Sequence, residues 1–450
     1  MSKNPKKRRL LVNIITIIFL CVGTLVAIKF AKGYRPSLQE KTIQGTGLLS
    51  LTSYPKSARV IINDKLTTVT DDKLYLTPGN YNVVIEKDGF HSWTKNLPVK
   101  AELVTSTDAR LFPIITSTSP ITFYQVKNAS LNPDGTKIAY TLNNAPQNIS
   151  NGLYVHSISG NLLGSNNLQI AENIGKDFAD SLLIWSPDSS QILAIFSEKT
   201  ESTKKTLPAG RQALPTERLT SAYLLSTKEK NSNPLVDVTI RLPLIISQWQ
   251  DQYAKINQPV LNLFPDFLQK ILTKDSYNVY FSPDKEKVLY TAKINQTLPD
   301  NAIGSSLPNI NSSPEVRNLL KGHSYIFDLK EGTNYQFDIA TKSSEIQKDL
   351  ILSSTATPSA SLNSLKQLKA QTESYYVGNF SWYSNSRQVI IVNSNGINVI
   401  DYDGQNLINI NPGVPLNNFA IPSIDGSKLI SLTNLNQKPE SFNLFSFDLK

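Results

Sequence analysis

Apolar residues follow distinct regimes along this chain. One unbroken stretch runs from Leu10 to Ile28, directly behind Lys3, Lys6, Lys7, Arg8 and Arg9. Most of the remaining chain consists of short apolar runs that alternate with polar residues and are bounded by Gly, Pro, Asn, Asp or Ser. That pattern predicts β-strands joined by turns. Two segments depart from it. Leu242 to Lys274, with Trp249, Tyr253, Leu263, Phe267 and Ile271, predicts two helical pieces around Pro259 and Pro265. Leu365 to Ala370 predicts a further helix inside a 353–374 insertion whose start is rich in Ser and Thr. The class that results is all-β with helical and loop insertions.

The leading stretch sets the compartment of the rest. About nineteen residues at ~1.5 Å each make roughly 28 Å of helix, close to the hydrocarbon thickness of a bilayer. It is longer than the core of a secretory signal, and Lys29, Phe30 and Lys32 stand where small residues would mark a cleavage site. An uncleaved transmembrane anchor over 10–31 is therefore favoured over a cleaved leader. Basic residues hold their end of a helix on the cytoplasmic side. The reading is a single-pass protein of the cell membrane, with residues 1–9 a cytoplasmic tail, 32–45 a linker, and all later domains extracytoplasmic. Cys21 follows Leu20 in mid-stretch, which argues for a membrane-buried thiol rather than a lipidated one.

Charge changes the picture only once it is placed. The formal net charge is +9, but the five basic residues of the tail together with Lys29 and Lys32 account for most of it. The remainder of the chain is nearly neutral and lacks the electrostatic footprint of a nucleic-acid binder. With one cysteine in 450 residues, no intrachain disulfide can form, so stability rests on burial and hydrogen bonding. A hydrophobic content of 40% supplies a sizeable core, and the length implies two or more domains.

Past the linker, strands are predicted at Gly47 to Ser53, Ala58 to Ile62 and Tyr81 to Glu86, with more around Leu97, Val99, Leu103 and Val104, ending near Leu111. Turns fall at 54–57, at Asn63-Asp64-Lys65, at Thr77-Pro78-Gly79-Asn80 and at Asp88-Gly89. The run from Leu76 to Phe90 resembles the L-x-P-G-x-Y-x-V-x-V-x-K-x-G-Y signature of the PEGA domain, a small β-sandwich-like module of microbial surface proteins. This segment departs from that family where Pro55-Lys56-Ser57-Ala58 replaces the eponymous tetrapeptide and Val69-Thr70-Asp71-Asp72 replaces its Gly-x-Thr-Pro. The resemblance implies a PEGA-like β-domain over 46–113, with Tyr81, Phe90 and Trp93 as core or rim aromatics rather than a glycan platform.

Downstream, a strand, a Ser/Asn-Pro-Asp turn and a second strand recur at Asn132-Pro133-Asp134-Gly135, Ser186-Pro187-Asp188 and Ser282-Pro283-Asp284. Weaker copies stand at Tyr383-Ser384-Asn385-Ser386 and Ser423-Ile424-Asp425-Gly426. Each is followed by another strand candidate, at Gly152 to Val155, Tyr223 to Leu225, Tyr325 to Leu329 or Ile397 to Ile400. Units that cannot bury both faces alone share them radially. The pattern resembles the TolB-like and WD-repeat propellers and implies a β-propeller over 114–450. The copies are about 54, 96, 101 and 40 residues apart, against roughly 40–50 per blade. About six blades are expected, five or seven being compatible, with insertions near 198–220 (a mobile loop), 242–274 and 353–374.

Candidate chemistry is sparse. His91, His156 and His323 are far apart and sit in no metal-ligand spacing. Asp134, Asp188, Asp284 and Asp425 belong to separate hairpins, where turn backbone N–H groups give each carboxylate a sufficient role without calcium. No nucleophile elbow, phosphate loop or zinc-protease helix motif occurs. No catalytic, cofactor-binding or metal-binding residue is assigned and no cofactor is expected. The reading is a non-catalytic binding or scaffold protein of the cell envelope that recognises a protein or cell-wall glycan partner and no nucleic acid. The alternatives are a propeller-type hydrolase, whose two acids the fold would have to bring together, and a purely structural spacer.

Overall fold

The computed structural model describes residues 5–31, 34–37, 42–158, 166–173, 175–200, 216–299, 313–337, 348–353, 361–373, 380–411, 413–435 and 441–450. The chain divides into two compact units, the first ending at Phe112 and the second beginning at Pro113.

In the first unit, helix α1 spans Pro5–Ala31, and its Val12–Ala31 part has a mean hydropathy of 2.5, long and apolar enough to cross a membrane. Its threonines are compatible with lipid because Thr16 and Thr24 donate to the carbonyls of Val12 and Leu20, at 2.9 and 2.7 Å. The linker expected over 32–45 is corrected here: Tyr34–Ser37 pairs antiparallel with Thr42–Gly45 to form a hairpin.

Two sheets complete this unit. Residues 72–76, 47–54 and 104–110 make one, in that order, with 47–54 and 104–110 parallel. The other runs 65–69, 59–62, 79–86, 93–99. Strict alternation in 47–54 puts Leu49 and Leu51 inward, onto Val60, Val83, Ile85 and Leu97. Trp93 is buried in this core, with Tyr81 and Phe90 packed against it. Strand 65–69 is not evident from sequence because its side chains are mostly exposed and carry no apolar alternation, and strand 72–76 because only Leu74 and Leu76 turn to the core.

The second unit is built of meandering antiparallel sheets. The first is 126–131, 137–142, 152–157, 167–172; the second is 182–185, 191–200, 216–226, extended by the Tyr223–Asp237 bridge. The third is 276–281, 287–292, 324–328, 333–336, and the fourth 380–382, 388–393, 396–401, 408–411. The fifth joins 420–422, 428–433 and 443–448 to Thr118–Pro120 from the start of the unit. This strand order is propeller-like.

Among the described residues there are five such sheets, within the expected range of five to seven. The wide repeat gaps hold helices: α2 (Leu242–Leu261), α3 (Asp266–Lys274) and α4 (Leu362–Thr372). Pro259 lies inside α2 rather than between two pieces. The mobile loop expected near 198–220 is corrected at both ends, since 191–200 and 216–226 are paired strands; residues 201–215 lie outside the described residues.

Hydrophobic faces are shared between consecutive sheets. Leu153 and Val155 of the first pack with Trp185 and Ile192 of the second. Leu289 and Ile326 of the third pack with Trp382 and Val389 of the fourth, and Ile138 and Tyr140 of the first with Ile421 and Ile430 of the fifth. Two tryptophans also bond across: Trp185 Nε1 donates to Ser130 O and Trp382 Nε1 to Tyr280 O, each at 3.3 Å. Helix α2 lays Ile245, Ile246 and Trp249 on the second sheet, and α3 lays Leu268 and Ile271 on the third.

All five turns share one backbone course. An N–H at the fourth position bonds back to the first, as in Gly135 to Asn132 and Ser189 to Ser186, and that fourth residue has positive φ: Gly135 74°, Ser189 59°, Lys285 61°, Ser386 59°, Gly426 64°. Glycine suits this conformation and a side chain does not. Ser189 is buried, and its hydroxyl has no hydrogen-bond partner among the described residues. Ser189→Gly is therefore expected to stabilise the protein by about 1 kcal/mol, measured as a higher denaturation midpoint; an unchanged or lower midpoint would show that the turn is not strained there.

Candidate functional site

The first strands of the first and third sheets each give a residue, Ser130 and Tyr280, to one polar cluster beside helix α4. Helix α4 begins at Ser361, whose side chain accepts from Ser364 N, and it buries Leu365 and Leu368 against Ile184 and Leu193 of the second sheet. That seating carries Glu373, just past the helix, to the first sheet, where Ser130 Oγ donates to Glu373 Oε1 at 3.2 Å. Lys369 Nζ lies 3.7 Å from the same oxygen. Burial raises the Glu373 pKa, against the opposing pull of Lys369 and Ser130.

Lys348 completes the cluster. It is 6% exposed, its Nζ donates to Glu373 O at 3.2 Å, and its ammonium lies 4.2 Å from the centre of the Tyr280 ring in the third sheet. Burial pushes its pKa down to about 7, with Glu373 opposing. Lys348 and Tyr280 line a cavity of about 200 Å³, whose walls also include Pro133 of the first hairpin, Tyr253 of α2 and Trp382 of the fourth sheet. The Tyr280 hydroxyl is buried and has no hydrogen-bond partner among the described residues.

A second buried charge cluster sits between the third and fourth sheets. Lys287 Nζ is 3.4 Å from Asp328 and 3.7 Å from Asp284, and lies over the Tyr402 ring. Glu331 accepts from Tyr335 and Tyr402 hydroxyls at 2.6 and 2.9 Å. Burial, then Asp328, raises the Glu331 pKa. These acids are brought together, but lysine and tyrosine groups occupy their oxygens, and the cluster acts as a polar staple between sheets. A separate cavity of about 270 Å³ at the outer strands of the first two sheets is floored by Phe178 and Phe196. There Lys176 lies over the Phe196 and Tyr223 rings and donates to Ser221 Oγ, so the chain's own ammonium covers the aromatic faces.

The residues singled out from sequence stay apart. Asp134, Asp188, Asp284 and Asp425 each accept from a backbone N–H two residues on, at 2.9 to 3.1 Å. Hydrogen bonds from Ser423 and Ser427 outweigh burial at Asp425 and hold its pKa down, at about 2. His156 is buried on the first sheet with Nδ1 2.8 Å from Asn167 Oδ1, and burial lowers its pKa. His91 belongs to the first unit and His323 precedes a strand of the third sheet. Among the described residues no group of three or more His, Cys, Asp or Glu could hold a metal ion. Lys348, Tyr280 and Glu373 were missed because no motif marks them; the one available signal was the amphipathic spacing of α4, which ends just before Glu373.

Residues 46–114 match the PEGA domain. The PEGA domain therefore coincides with the two-sheet β-domain of the first unit and with its Leu76–Phe90 signature. No curated protein matches the chain. Among solved structures, the chain is similar to a protein described as TolB from Agrobacterium tumefaciens, at 12% identity over 73% of this chain and 84% of that one, with a TM-score of 0.21. The β-propeller domain of the Trilobed protease from Pyrococcus furiosus is similar at 10% identity over 90% and 85%, with a TM-score of 0.18. An acylaminoacyl peptidase from Pyrococcus horikoshii is similar at 11% identity over 93% of this chain and 47% of its own, with a TM-score of 0.18, so the chain spans about half the length of that enzyme. At these scores the likenesses carry no weight for function, and the propeller-like architecture rests on the strand order.

The buried lysines generate two expected outcomes. Lys287→Met removes the partner of Asp328, which is 2% exposed, and is expected to cost about 3–5 kcal/mol, read from denaturant unfolding; a loss below about 1 kcal/mol would mean the pair is dispensable. Folding lowers the Lys348 pKa from 10.5 to about 7, so the unfolded chain holds that proton more tightly. The penalty is full below pH 7 and fades as pH rises towards 10.5. Lys348→Met should therefore raise the melting temperature more at pH 6 than at pH 9; an equal or reversed difference would place the amine in water.

Proposed function

We propose that the protein is a membrane-anchored, extracytoplasmic binding or scaffold protein of the cell envelope, whose PEGA domain and propeller-like unit recognise a protein or cell-wall glycan partner. In this reading residues 1–9 are cytoplasmic, 10–31 span the membrane once, and the five sheets from residue 114 onward close into a ring. The observation that carries it is the occupant of the inner strand ends. Helix α4 seats itself against the second sheet and fixes Glu373 on Ser130 and Lys369, where an open catalytic mouth would need free acids or an exposed nucleophile. The apolar helix α1 supports anchoring, and the PEGA match supports an external location. Function sits in sites rather than in folds, so the partner has to be found by binding.

Topology and partner are tested together. With Cys21→Ser as background, a cysteine at exposed Lys228 should react with a membrane-impermeant maleimide in intact cells; labelling only after lysis would reverse the orientation. Full-length protein in detergent should recover one protein saturably from envelope extract, or co-sediment with purified cell-wall glycan. Shortening of the glycan chains would make the protein a hydrolase, and recovery of neither would leave the spacer reading in place of the binding one.

A further inference from the structure

The cavity beside Lys348 has the composition of a site rather than of a packing gap. An ammonium has three donors and no acceptor. Among the described residues, Lys348 Nζ makes one hydrogen bond, to Glu373 O, and faces one ring, that of Tyr280. The Tyr280 hydroxyl, on a residue 7% exposed, makes none. Lys348, in the 348–353 segment, and Tyr280, in the third sheet, thus line the same hollow, and the Tyr280 hydroxyl there lacks a hydrogen-bond partner among the described residues.

Its charge points the same way. Lys348 and Lys285 are the cations of the lining; its one carboxylate, that of Asp349, is engaged by Lys293 at 3.0 Å. The rest of the wall is largely apolar, with Val260 from α2, Val279 from the third sheet and Trp382 from the fourth. A volume of about 200 Å³ exceeds the ~30 Å³ share of one liquid water and lies below the ~300 Å³ of pockets for drug-sized ligands.

We propose that this cavity binds a carboxylate carried on a small apolar body, its oxygens accepting from Lys348 and Tyr280 and its body lying against Val260, Val279 and Trp382. The carboxylate belongs either to a free small acid or to the C-terminus of a peptide ending in an apolar residue. The two lysines of the lining favour an anion over a cation, and a phosphate finds no use for the apolar wall. The site stands independently of the partner reading above, since a chain that captures no partner still has the cavity.

The test uses the full-length protein in detergent and calorimetric titration with benzoate, with inorganic phosphate, and with a tetrapeptide ending in leucine, its terminus free or amidated. Benzoate or the free-terminus peptide should bind one to one, with the amidated peptide and phosphate inert; benzoate alone identifies a free acid, and the peptide alone a chain terminus. Bound benzoate should also protect Lys348 from acetylation, mapped by mass spectrometry. Lys348→Met should weaken binding at least about tenfold and Tyr280→Phe several-fold, the range of a lost charge-assisted and a lost neutral hydrogen bond. Both side chains keep their volume, and cooperative melting checks that each variant folds. No carboxylate binding up to about 10 mM, binding of phosphate alone, or wild-type affinity in both variants would overturn the proposal.

Discussion

The pairing of Thr118–Pro120 with the strand 443–448 is the interaction on which the second unit depends. Three residue pairs join the two ends of a segment of more than three hundred residues, and the seam extends through Ile121 N to Leu444 O at 2.8 Å and Val126 N to Phe442 O at 2.9 Å. Thr122 Oγ1 reinforces it by accepting from Leu444 N at 2.9 Å. Because the fifth sheet packs its Ile421 and Ile430 on the first sheet's Ile138 and Tyr140, fixing its outer strand also fixes the surface that the first sheet needs to bury. An unpaired edge there would offer a template to another chain.

Within that frame the sheets are held by repeated local chemistry. The carboxylate of each Ser/Asn-x-Asp turn is satisfied inside its own turn, which leaves the following strand in register to meet its neighbour. Tryptophans at the ends of two first strands then reach back to the preceding sheet, so the turn motif and the contact between sheets are set by adjacent residues, Trp185 beside Ser186 and Trp382 beside Tyr383. A buried lysine adds to the apolar contact between the third and fourth sheets, Lys287 pairing with Asp328 and lying over the Tyr402 ring.

Much of this was legible in the sequence, for reasons that differ by element. The hairpins were visible because their turn residues have steric causes, and α1 because its length matches a bilayer. Strand 65–69 was not, since an exposed edge strand needs no apolar alternation, and strand 72–76 shows only Leu74 and Leu76 as a pattern. The sheet count could be read only as a range, because spacing between repeats measures inserted helices together with blades. The polar cluster left only the spacing of α4 as a signal: Ser130, Tyr280, Lys348 and Glu373 are each unremarkable in their local context, the packing of α4 brings Glu373 to Ser130, and hydrogen bonds with Asn278 set Lys348 beside Tyr280. A site assembled from residues so far apart leaves no spacing between them to read.

The position of α4 has a consequence for assembly. In chain order it lies between the third and fourth sheets, yet it packs on the second and its end bonds to the first, so the contact from Glu373 to Ser130 closes a loop of 243 residues. Contacts of that sequence separation form late, after the local hairpins that make them worthwhile. The cavity walled by Lys348, Tyr280 and Trp382 consequently comes into existence only when the first, third and fourth sheets and helix α2 stand together. Occupancy of that hollow would distinguish a finished molecule from one still assembling, a distinction no single hairpin of the repeat could report.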